Sequence, residues 1–228
     1  MYVGNTRCNE NLFLNVNMLP VVDRVKDLGI VMDSHLTFTH HIDQIVARAF
    51  TRANLIHKCF VSRDTATLTR AFIVYVRPLL EYGSPVWSPH HSGKIIQIEN
   101  VQRRFTKRLP GLKNVKYKER LEQLRLETLE MRRLRQDLIF SYKVIFGLVN
   151  YACNDLFTLS NATIPTRGHA FKLYQQYSRV DSRKQFFAER IIHTWNSLPA
   201  KNEHFNSLAT FKSFIKSVNL SNFVSLGF

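Results

Sequence analysis

The sequence predicts a mainly α fold: a helical bundle with a small β remnant at the N-terminus and a short α+β segment at the C-terminus. Three observations predict it. Apolar residues recur at three- and four-residue spacing in several separate segments, as on the buried stripe of a helix. Residues 12–33 hold short β-branched runs punctuated by proline and glycine, as short strands do. Hydrophobic residues make up 45% of the chain and include 17 Phe, enough to build a core and too many for a disordered chain.

Residues 12–33, LFLNVNMLPVVDRVKDLGIVMD, read as short strands punctuated by Pro20 and Gly29. Two or three such strands do not make a stable sheet alone, so they are expected to be the edge of a larger one. A helix is predicted over 40–58, capped by Thr39, with Ile42, Ile45, Val46, Ala49, Ala53 and Ile56 on one face. A second runs over 64–82, kinked at Pro78, with Arg63, Arg70 and Arg77 along one side. YGSPVWSPHHSG is a loop. Further helices are predicted over 93–109, 117–125, 128–149, 183–198 and 207–218. Residues 151–182 read as irregular or extended, with a strand in KLYQQYSRV. The chain divides into residues 1–33, 34–112 and 113–228, the last a basic helical segment.

Lys and Arg number 32 against 17 Asp and Glu, a formal net charge of +15. A folded protein this basic usually meets a polyanion, and nucleic acid fits better than a membrane surface. The excess peaks in residues 101–150, which hold 13 basic and 5 acidic residues. That block opens with VQRRFTKRLPGL. On a helical wheel Ile98, Val101, Phe105 and Leu109 fall on one side. Arg103, Arg104, Lys107 and Arg108 fall on the other. Phe105 is therefore a core anchor and not a base-stacking platform. Lys113, Lys116, Lys118 and Arg120 follow, and Arg132, Arg133 and Arg135 open the next long helix against its dipole. A solvated face is the competing reading of this arc.

Cys8, Cys59 and Cys153 are distant from one another, which fits a reducing compartment and an intracellular protein of nucleus or cytoplasm. No apolar run reaches the ~18 residues of a membrane span, and MYVGNTRCNE lacks a signal-peptide layout. No Asp-Asp doublet, zinc-ligand spacing, Walker sequence or nucleophile elbow occurs. The residues themselves offer a basic helical module and no catalytic or metal site.

The segments VKDLGIVMDSHLTFTHHI, VRPLLEYGSPVWSP, IENVQRRFTKRLPGL, YKERLEQLRLETLEMRRLRQDLIFSYKVI, TRGHAFKL and WNSLP occur in this order. Together they resemble the C-terminal region of the reverse transcriptase of non-LTR retrotransposons of the jockey-like LINE type, over nearly the whole chain. The resemblance implies that residues 12–33 are the last palm strands and that 34–112 are a thumb, which grips the primer–template duplex. The remainder would be a C-terminal segment that helps hold RNA and target DNA. In that family magnesium is held by palm aspartates that precede this region, so no cofactor is expected in this chain. The Asp-Asp motif is absent here, and polymerase activity does not carry over. The expected partners are RNA or an RNA/DNA duplex, contacted at phosphates by Arg103, Arg104, Lys107, Arg108, Lys113, Lys116, Lys118, Arg132, Arg133 and Arg135, and the fingers and palm. Two other readings remain: the thumb part of an active enzyme, and a protein-interaction module presenting Tyr82 and Trp87 of YGSPVWSP.

Overall fold

A computed structural model describes Met1, Val3, residues 12–160 and residues 168–226. Cys8 and the first two residues of TRGHAFKL lie outside the described residues. Within them the chain is mainly helical.

The β remnant consists of two separate antiparallel hairpins. Strands β1 (Phe13–Leu14) and β2 (Asn17–Met18) pair in one, β3 (Arg24–Asp27) and β4 (Ile30–Asp33) in the other. Only Ile30 is buried among these strand residues, against the first helices. Helix α1 (Thr39–Cys59) follows. Thr39 is its first residue and not its cap: Phe38 takes that position with φ 54°. The turn is held by Asp33, whose carboxylate accepts N–H bonds from His35, Thr37 and Phe38 and the hydroxyl of Thr37.

The predicted second helix is broken and not merely kinked. Helix α2 (Thr65–Tyr75) is capped by Asp64, which accepts from the Thr67 N–H at 2.7 Å. The chain breaks at Val76, and α3 (Arg77–Glu81) restarts with Pro78 in its first turn. Proline lacks the N–H that would continue the ladder, so the long pattern splits there. The predicted loop holds a single helical turn, α4 (Ser84–Trp87). Gly83 enters it at φ 65°, and a Cβ there would stand 2.8 Å from Ile30 Cδ1. Gly83→Ala is expected to cost about 1–2 kcal/mol, read by chemical denaturation.

Helices α5 (Ser92–Lys107), α6 (Tyr117–Leu124) and α7 (Leu129–Ile145) lie close to their predicted spans. Beyond them come α8 (Cys153–Leu156), α9 (Asp181–Lys184), α10 (Phe187–Asn196) and α11 (Leu208–Ser217). The strand expected in KLYQQYSRV is a single bridge between Leu159 and Leu173.

Two apolar cores result. Ile42, Phe72, Leu80, Trp87, Ile98, Val101 and Phe105 belong to the first. Leu138, Tyr142, Phe157, Trp195, Phe205, Phe211 and Ile215 belong to the second. Helix α7 joins them, with Leu129 in the first core and Leu138 in the second. Its fully buried positions include Leu129, Arg133, Asp137, Ser141 and Val144, a second stripe beside the apolar one read from sequence. A helix packed on two sides buries residues that a one-faced wheel assigns to solvent.

The second core is locked by two of the quoted segments. Trp195 of WNSLP donates its indole N–H to Phe171 O at 2.7 Å. Asn196 pairs with both backbone groups of Leu173, at 2.8 and 2.9 Å, and Lys172 donates to Asn196 O. A His169 ring nitrogen lies 3.0 Å from Trp195 O. These residues build the fold and are not free for a ligand.

Buried histidines give the stability a pH dependence. Burial pushes His41, His57 and His169 below their ordinary value, with Arg48 adding to the shift at His41 and Arg108 and Arg63 at His57. Their folded pKa is depressed, so the unfolded chain binds more protons below about pH 6.5. Their contribution is full above that value and is lost as pH falls toward the folded values. Glu99 and Asp137, raised by burial, oppose the loss at lower pH. Proton NMR should show all three imidazoles titrating below about 6.5, and the denaturation midpoint should begin to fall as pH is lowered through about 6.5.

Candidate nucleic-acid interface

Helices α1 and α5 lie side by side and run in the same direction. Near their starts Asp43 accepts from Lys94 at 2.6 Å and from Gln97 at 2.8 Å. Further along, the Arg104 guanidinium lies over the Phe50 ring, 5.2 Å from its centroid. Near their ends Arg108 donates to Asn54 at 2.6 Å. The two helices therefore finish at the same end of the bundle. Arg104, Lys107 and Arg108 are exposed there, while Ile98, Val101 and Phe105 of the same helix are buried.

Arg63 joins this end from the turn after α1. It donates to His57 O at 3.0 Å and, with Arg108, acts electrostatically on the His57 ring. Between the two helices opens a cleft of about 340 Å³, lined by Phe50, Ala53, Asn54, His57, Val101 and Phe105, with Arg104, Lys107 and Arg108 at its edge. The last turn of α5 carries the negative end of its dipole, which favours cations there by about 0.3–1 kcal/mol each. Part of their mutual repulsion is thus relieved before any anion arrives.

Lys113, Lys116 and Lys118 follow and are exposed. Among the described residues none of these three, nor Lys107, forms a salt bridge within 4.0 Å. Arg103 is half-buried, its guanidinium 4.9 Å from the Tyr117 ring centroid. Arg120 is buried and donates to Val115 O and to Arg103 O near the end of α5. Both are committed to joining α6 to α5.

The three arginines of α7 are paired or buried within the fold. Arg132 forks onto Glu81, its Nη2 at 3.1 Å from Oε2. Arg135 pairs with Glu127 at 2.7 Å. Arg133 is 2% exposed and cannot reach a phosphate. Its charge is set among Glu99, Glu130, Asp137 and Glu81. Internal carboxylates, not an outside anion, answer the cations that oppose the α7 dipole.

Sequence reasoning missed the buried polar layer that makes this so. Glu99 is 1% exposed; it accepts from the Tyr117 hydroxyl and from the Leu129 N–H, the latter at 2.8 Å. Gln102 donates to Tyr117 Oη and to Glu127 O. Asp137 pairs with Arg190 at 2.9 Å, and Arg190 also donates to Pro85 O. Burial raises both Glu99 and Asp137 above ordinary carboxylates, partly offset by their donors. The only available sequence signal was the four-residue spacing of Leu129, Arg133, Asp137 and Ser141.

Trp87 is 1% exposed and donates to Tyr82 O at 2.7 Å, so YGSPVWSP presents Tyr82 and not Trp87. Among the described residues no group of three or more His, Cys, Asp or Glu side chains converges to hold a metal ion. Asp33 organises a turn and Asp43 pairs with Lys94. Among the described residues no helix is long and apolar enough to cross a membrane.

Fold and surface together define a basic, mainly helical protein in which Arg104, Lys107 and Arg108 are exposed together where two parallel helices end. The chain is 27% identical over 144 residues to an uncharacterized protein of Caenorhabditis elegans, B0403.1, covering 62% of this chain and 72% of that one. No family model and no solved structure matches.

Proposed function

We propose that this chain is the thumb and downstream part of a non-LTR retrotransposon reverse transcriptase, acting as a nucleic-acid backbone-binding module without polymerase chemistry of its own. The observation that carries the binding is the cluster of Arg104, Lys107 and Arg108, exposed together at the shared end of α1 and α5. Lys113, Lys116 and Lys118 extend it. Such contacts set position and do not read sequence. The assignment to the retrotransposon family rests on the six ordered segments.

The partners in this reading are RNA or an RNA/DNA duplex, and the fingers and palm. The exposed side chains of Phe13, Leu14, Val16, Met18 and Val21 support a hydrophobic neighbour at the hairpin end.

Fluorescence anisotropy with an RNA/DNA duplex tests the binding. Neutralising ~5 phosphates predicts that log affinity falls against log salt with a slope of about −4. Salt-insensitive binding, or none, contradicts the proposal.

A further inference from the structure

We infer that the cleft between α1 and α5 receives one unstacked nucleotide of a single-stranded nucleic acid, its base inside the cleft and its phosphates among Arg104, Lys107 and Arg108. This deepens the proposed nucleic-acid binding and rests on it.

A duplex backbone needs a charged surface and no cavity. The space here is concave, about 340 Å³, and floored by Ala53, Val101 and Phe105. An apolar floor suits a planar base and repels a phosphate, while the basic edge does the reverse. The two parts of a nucleotide match the two parts of the site.

Polar groups inside the cleft have capacity to spare. His57 is 6% exposed, and its Nε2 is buried without a hydrogen-bond partner among the described residues. A buried ring nitrogen left unpaired is costly, and a base edge supplies either a donor or an acceptor for it. Asn54 accepts from Arg108 through its carbonyl oxygen, leaving its amide N–H groups for the ligand. This bond also holds Arg108 across the mouth.

Stacking is available, but not on Phe105. That ring lies between His57 and Phe72, with centroids 4.6 Å from each. The free platform is Arg104 layered over Phe50. A base stacking on a guanidinium plane is held whatever its identity, so the site accepts any base.

The test uses the 228-residue chain with single-stranded oligonucleotides of about 12 nucleotides carrying 2-aminopurine at the centre, and duplexes of equal length. The single strand should bind about tenfold more tightly than the duplex, with a change in 2-aminopurine fluorescence as the base leaves its stack. His57→Phe keeps the ring packing and removes the nitrogens. Asn54→Trp blocks the exposed mouth without entering the core. Each should weaken single-strand binding about tenfold. His57→Phe should leave duplex binding unchanged, and Asn54→Trp, which also frees Arg108, should weaken the single strand more than the duplex, with thermal melts confirming that both variants fold. Equal affinity for both forms with unchanged fluorescence overturns the cleft assignment alone. Variants that bind the single strand as the parent chain does overturn it too. Failure to bind either form removes the nucleic-acid reading itself.

Discussion

Replacing Arg104, Lys107 and Arg108 together by Gln is expected to lower duplex affinity by about 100-fold at ~0.1 M salt and to flatten the salt slope by about 3. Each lost phosphate contact removes about one released counterion, and the contacts are nearly additive because they are separate. The substitutions should leave the fold intact, since all three side chains are exposed and the buried stripe of the same helix is untouched. The matched control is Arg132→Gln, Arg133→Met and Arg135→Gln. It removes the same charge from α7, where the cations are paired or buried. That control should change stability far more than the salt slope. If the α7 variant flattens the slope and the α5 variant does not, the interface has been placed on the wrong helix.

Asp137→Ala should destabilise the protein by about 3–5 kcal/mol, measured by urea denaturation at neutral pH. Asp137 is 3% exposed and takes two donors from Arg190 on one oxygen, at 2.9 and 3.2 Å. Removing it leaves Arg190 and the wholly buried Arg133 facing each other in the layer between the two cores. Breaking a buried pair costs more than the pair contributes, because the surviving charge stays desolvated. Against a total stability of ~5–15 kcal/mol, the loss is large. Adding Arg133→Met should recover part of it, since an apolar side chain of similar length has no charge to leave unpaired. A loss under about 1 kcal/mol for Asp137→Ala, or no recovery in the double variant, would show that the layer is not electrostatically tight.

The same layer explains what a sequence reading reaches and where it stops. The helices over 39–59, 92–107, 117–124 and 208–217 were legible because each buries one face, and one buried face writes a simple period. The place of Phe105 was legible for the same reason. A disturbance at Pro78 was legible too, since a missing N–H acts locally, but only as a kink and not as the full break at Val76. Helix α7 was placed correctly but read wrongly at Arg133. It is packed on both sides, and its second buried stripe is polar, so hydrophobic spacing carries no trace of it. Thr39 looked like a cap because Thr favours that position. Asp33 holds the turn instead, through a folded loop that local preference does not encode.

The sequence by itself determined the helical class, the cluster of charge in residues 101–150 and the apolar stripe of α5. These depend on composition and local period alone. Only the tertiary structure decided which cations are free. Charge is visible in a sequence, but pairing is not: Glu81 lies 51 residues from Arg132, and Asp137 lies 53 from Arg190. Packing brought those partners together and withdrew Arg132, Arg133 and Arg135 from the surface role. It left Arg104, Lys107 and Arg108 outside, around a cleft that forms only because α1 and α5 run parallel and end together.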